Sequence, residues 1–107
     1  MRVLAVSFDE PSGKATLRID TDGEVEAQIT TEFRFGNEWI VIALTPVAND
    51  PTPLLPHLAS KQFGAIEAKL SGHDLTLALE LLAERIDYNL TRRPDGITVT
   101  FIRPNGH

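Results

Sequence analysis

The chain has 107 residues, 42% of them apolar and 23% charged, a balance that supports one folded domain and argues against disorder. It has no cysteine, which excludes disulfides, thiolate metal sites and a cysteine nucleophile. The net charge of −5 sits in the first half, with nine acids against four bases up to residue 53 and six of each from residue 54 onward. That acidic half repels a phosphate backbone, so no nucleic-acid partner is expected. No window approaches the ~18 apolar residues of a membrane span, and the stretch before Asp9 and Glu10 is too short for a signal-peptide core. The expected location is therefore the cytoplasm, with no membrane partner, and the Asn89-Leu90-Thr91 sequon carries no glycan.

Residues 1–45 read as an antiparallel meander of about four strands. Leu4, Val6 and Phe8 alternate before a turn at Asp9-Glu10-Pro11-Ser12-Gly13, and Ala15, Leu17 and Ile19 alternate with Thr16, Arg18 and Asp20 up to the Asp22-Gly23 turn. Next, Val25, Ala27, Ile29, Thr31, Phe33 and Phe35 share one face, and Glu24, Glu26, Gln28, Thr30, Glu32 and Arg34 share the other. Such a long period of two is a half-buried strand. A hairpin turn at Gly36-Asn37 predicts that Phe33 pairs with Ile40, Thr31 with Ile42 and Ile29 with Leu44. Trp39, Val41 and Ala43 then lie on the outer face, so the strand is apolar on both sides and needs a second cover.

Residues 46–53, with Asn49-Asp50-Pro51, form a connector, and residues 54–107 read as α-β-α-β-β. Thr52 and Pro53 start a short helix that Gly64 closes after Lys61 and Gln62, with Pro56 tolerated near its first turn. Ile66, Ala68 and Leu70 alternate as a strand, Ser71-Gly72-His73 turns, and Asp74 caps a helix from Leu75 to about Ile86. Its polar stripe is Thr76, Glu80 and Glu84, with Arg85 alongside, and Leu75, Leu77, Ala78, Leu79, Leu81, Leu82, Ala83 and Ile86 cover the rest, so most of it is buried. Tyr88 and Leu90 open a strand, Pro94-Asp95-Gly96 turns, and Ile97, Val99 and Phe101 alternate in the last one. The expected fold class is α+β in a single domain, 1–107.

The stretch Lys69-Leu70-Ser71-Gly72-His73-Asp74-Leu75 through Ala78-Leu79-Glu80-Leu81-Leu82 is similar to the β-α-β-β half-units in the N-terminal domains of secretins and TonB-dependent receptors. The resemblance covers about a third of the chain and implies a docking domain of an envelope machine. It departs from that pattern in residues 1–45, which read as a meander where those domains carry a second similar half.

No catalytic motif is found, and neither a metal nor a cofactor is expected. His57, His73 and His107 belong to no ligand spacing, and Asp20-Thr21-Asp22-Gly23-Glu24 lacks the later glutamate of a calcium loop. Arg92 and Arg93, with Arg103 on the neighbouring strand, make the one basic cluster, suited to a carboxylate or phosphate or to the protein's own acids. Trp39 beside Arg34 is either an interface anchor or core beneath the Leu75–Ile86 helix, core being the expectation. The functional expectation is a non-catalytic protein-binding or assembly module, self-association included, acting through the edge of the first or last strand. The alternative is a small ligand-binding protein or enzyme with a pocket between helix and sheet, using His57, His73, Tyr88 or Arg92.

Overall fold

Alternation of apolar and polar residues carries through almost every segment, and the result is a chain of β-strands, eight of them among the described residues. A computed structural model describes residues 1–10, 14–34, 36–58, 62–82 and 86–102. The strands are β1 (Val3–Asp9), β2 (Ala15–Thr21), β3 (Glu26–Arg34), β4 (Asn37–Thr45), β5 (Phe63–Ser71), β6 (Asp74–Leu81), β7 (Asp87–Arg93) and β8 (Gly96–Ile102). They form two four-stranded antiparallel sheets, sheet A in the order β1-β2-β8-β7 and sheet B in the order β3-β4-β6-β5.

The fold is thus nearly all β, and the α+β expectation is corrected at both proposed helices. The segment expected as a helix from Leu75 is strand β6. Its leucines at 75, 77, 79 and 81 are buried in the common core, while Thr76, Ala78 and Glu80 alternate with them on the other face. Leucine, alanine and glutamate favour helices only weakly, and pairing on both flanks, with β4 and β5, overrides that preference. Leu82, expected in the core, is 52% exposed. The other expected helix is a single 3-10 turn, Thr52–Leu54, where the Asp50 carboxylate accepts from the Thr52 N–H and hydroxyl. It ends because Leu55, standing before Pro56, is held extended (φ −67°, ψ 134°). With neither helix present, the β-α-β-β resemblance loses its basis.

The meander also divides. β1 pairs with β2 and β3 with β4, but β2 and β3 belong to different sheets, and β2 pairs instead with β8. The β3–β4 register is two residues from the expected one. Arg34 pairs with Asn37, Phe33 with Glu38, Thr31 with Ile40 and Ile29 with Ile42. A two-residue slip preserves facing, so Ile40, Ile42 and Leu44 still point into the core. Gly36 stands at φ +86°, in the left-handed region that glycine enters without strain.

The sheets pack face to face around one apolar cluster. Leu17, Ile19, Ile97, Val99 and Phe101 of sheet A meet Ile40, Ile42, Leu44, Leu75, Leu77 and Leu79 of sheet B. Each is essentially inaccessible to water, and burying a side chain of this size contributes about 1.5–3 kcal/mol. Phe63 ties the layers at one side, its ring 5.8 Å from Phe8 and 4.9 Å from Phe101. Among the described residues, no helix is long and apolar enough to cross a membrane.

Candidate functional site

Two sheets of four strands have four edges, and an edge strand offers unpaired backbone groups to another chain. β1 and β5 lie on one side of the sandwich, joined by the Phe8–Phe63 contact and by Gln62 Nε2 donating to Glu10 (2.9 Å). β3 and β7 lie on the other side, where Arg92 Nη2 donates to the Ala27 carbonyl (3.2 Å) and Ile29 and Leu90 flank a shared groove.

Three of the edges carry a device that discourages pairing. The connector caps the start of β1, where Asn49 accepts from the Val3 N–H (2.8 Å) and donates to the Val3 carbonyl (3.1 Å) and the Ala48 N–H donates to the Met1 carbonyl, and the strand breaks register between Val3 and Ala5. β5 breaks register between Phe63 and Ile66 and carries Lys69. β7 turns Arg92 to the inner face, opposite buried Ile97. An inward charge, a bulge and an edge lysine each disfavour addition of a strand.

β3 differs. Its nine residues keep an unbroken register with β4 and contain no lysine, no proline and no bulge. The Ala27 carbonyl points away from β4, since it meets Arg92. In an antiparallel strand the N–H and C=O of one residue point to the same side, alternating along the chain. Ile29, Thr31 and Phe33 therefore also direct their backbone groups outward. Arg34 and Asn37 closing the hairpin give the same parity. The side chains of these residues face inward, with Ile29 half-buried and Phe33 72% exposed. Groove volume is about 400 Å³, lined by Ala27–Thr30 and Tyr88–Leu90. The site is an extended backbone template beside an apolar seam.

The sequence-derived site residues are distributed differently from expectation. Trp39 lies on the outer face of sheet B and is 8% exposed, with no helix over it among the described residues. Arg34 covers it: its guanidinium stands 5.3 Å from the ring centroid and is pinned by Glu32 (2.9 Å) and Glu67 (3.1 Å). The carboxylates hold the Arg34 pKa above its ordinary value, Glu32 first. The indole Nε1 makes no hydrogen bond among the described residues. Trp39 and Arg34 thus form a closed unit, although Arg34 ends the open strand.

Arg93 is a structural clamp, bonded to Asp20, Asp95, the Thr98 hydroxyl and the carbonyls of Ile19 and Ile97. Beside it Gly96 has φ +148°, and a Cβ there would stand 2.0 Å from the Ile19 carbonyl oxygen. Asp20 is held below the usual carboxylate range, chiefly by its hydrogen bond from Arg18 and then by Arg93. Arg92 is tied to β3, so the two arginines do not converge on an anion site. They do line a groove of about 510 Å³ with Glu24 and Glu26, whose charge disfavours an anion. Arg103 and His107, with Pro11–Gly13, Phe35, Lys61 and Ala83–Arg85, lie outside the described residues.

His57 follows the 3-10 turn and His73 lies in the β5–β6 hairpin, both exposed. A pocket between helix and sheet has no α-helix to form it among the described residues. Among the described residues no three histidine, aspartate or glutamate side chains are grouped to hold a metal ion. The first strand, β1, is an edge strand as expected, capped at Val3 by Asn49, whereas the last strand, β8, is interior between β2 and β7 and offers no edge. Phe33 and the hairpin were visible in the sequence, but Asn49 as an edge cap was not, because it acts 46 residues away. Compared with models of protein families, with curated proteins and with solved structures, the chain matches none of them.

Proposed function

We propose that the protein is a non-catalytic protein-binding module, cytoplasmic on the strength of its cysteine-free, acidic sequence, that takes an extended strand of a protein partner along β3. The observation that carries this is the contrast among edges: β1, β5 and β7 are each blunted, whereas Ile29–Phe33 presents an unbroken row of outward backbone groups beside an exposed phenyl ring. Backbone pairing supplies affinity in such recognition, and alternate side chains of the incoming strand supply selectivity by entering the seam.

Selection from a display library of ten-residue peptides tests it. The reading expects recovered peptides that alternate apolar and polar residues and lose at least about tenfold in affinity against Thr31→Pro. That substitution removes an outward N–H that β4 does not use, and proline is tolerated at such an edge position. Peptides that bind the Thr31→Pro variant as well as the wild type would move the site elsewhere.

A further inference from the structure

We infer that the strand received at β3 is β3 of a second copy, in one register. This deepens the strand-docking reading and rests on it. The outer row of β3 reads Glu26, Gln28, Thr30, Glu32, Arg34, and the inner row Ala27, Ile29, Thr31, Phe33. Two copies related by a two-fold axis pair antiparallel, and the outward parity allows registers centred on Ile29, Thr30 or Thr31. Centred on Ile29, Glu26 stands opposite Glu32 of the second copy, a like-charge contact that destabilises a sheet. Centred on Thr31, Ala27 pairs with no residue of β3, and the ladder is shortened.

Centred on Thr30, the whole strand is used. Glu26 then faces Arg34, Gln28 faces Glu32, and Thr30 faces its own copy. In the inner row, Ala27 faces Phe33 and Ile29 faces Thr31. The small alanine leaves room for a phenyl ring that is otherwise 72% in water. The Ala27 carbonyl keeps one lone pair for Arg92 and offers the second to the N–H of Phe33 in the second copy. The arrangement closes on itself, so it stops at a dimer and extends sheet B to eight strands across two chains.

Because the native chain has no cysteine, a single introduced thiol reports the register. Thr30 occupies a non-hydrogen-bonded pair on the axis, where opposing α-carbons stand only about 4.5 Å apart. Sedimentation velocity on the wild type should show a concentration-dependent dimer, and Thr31→Pro should raise its dissociation constant at least about tenfold with circular dichroism unchanged. Under mild oxidation Thr30→Cys should cross-link at least about tenfold faster than Ser7→Cys, an exposed position on β1. A wild type that is monomeric throughout, a dimer indifferent to Thr31→Pro, or cross-linking no faster at position 30 would each overturn the inference. If alternating peptides still bind β3 while the wild type stays monomeric, self-pairing fails and strand docking stands; if neither occurs, both fail.

Discussion

The two long sides of the sandwich are built from the same kind of strand and finished in opposite ways. On the β1/β5 side, the connector folds back, Asn49 occupies both backbone groups of Val3, and Phe63 locks the sheets through Phe8 and Phe101. On the β3/β7 side the Arg92 hydrogen bond to Ala27 spans the gap, and Phe33 is left in water. The difference shows that an edge can be closed by a residue recruited from elsewhere in the chain, as Asn49 is to Val3, or blunted by its own residues, as Lys69 and the register break do on β5 and Arg92 does on β7.

The comparison assumes that β6 carries sheet B continuously from one side to the other. Leu79→Asp should then abolish folding, since an unpaired buried carboxylate costs several kcal/mol against a total stability of ~5–15 kcal/mol. Leu82→Asp, on an exposed residue just past the strand, should change stability by no more than ~0.5 kcal/mol in a urea melt. Equal losses would restore a helix there and remove the contrast between sides. The contrast itself is measured by two phenylalanines. Phe63→Ala should cost about 3–5 kcal/mol and Phe33→Ala nearly nothing in the same melt.

Asn49→Ala sharpens the comparison from the closed side. Leaving the Val3 N–H and carbonyl unpaired should cost about 1–3 kcal/mol, and light scattering should detect new association through the uncovered β1. A smaller effect separates Trp39 from the open edge. Arg34→Ala should shift Trp39 emission to the red with little change in Tm, because it removes a cover and leaves the sheet intact. The smallest effect belongs to neither side. The depressed Asp20 pKa means its contribution is complete above the ordinary carboxylate range and is lost as pH falls through the lower folded value. Stability should drop below about pH 4, and Asp20→Asn should flatten that part of the profile in acid melts.

Much of this architecture could be read from residue order, and the failures have definite causes. The alternation from Glu24 to Arg34 is strict and reports β3 directly, and the facing of Trp39 and Ile40 survived a register error because the slip was even. In Leu75–Leu82 the same period of two is present, but Leu81-Leu82 interrupts it and helix-favouring residues fill it, so two periodicities compete. Pairing between β2 and β8 joins residues about eighty positions apart, which local pattern does not report. The candidate site was half visible. The alternation placed Phe33 on the inner face and the acidic row on the other, whereas the exposure of Phe33 and the edge position of β3 follow from non-local sheet pairing that the strand's own residues do not report.

The insertion of β8 between β2 and β7 governs how the molecule is assembled over time. Sheet B draws all its strands from residues 26–81, so it can close without either end of the chain. The β1–β2 hairpin is made first and waits longest. Its β2 ladder stays vacant until Gly96–Ile102 docks, and the distance between these segments favours slow folding, in milliseconds to seconds. During that interval the nascent protein displays a second unpaired strand, with Leu17 and Ile19 uncovered, so newly made chains face a hazard of mispairing that finished ones do not.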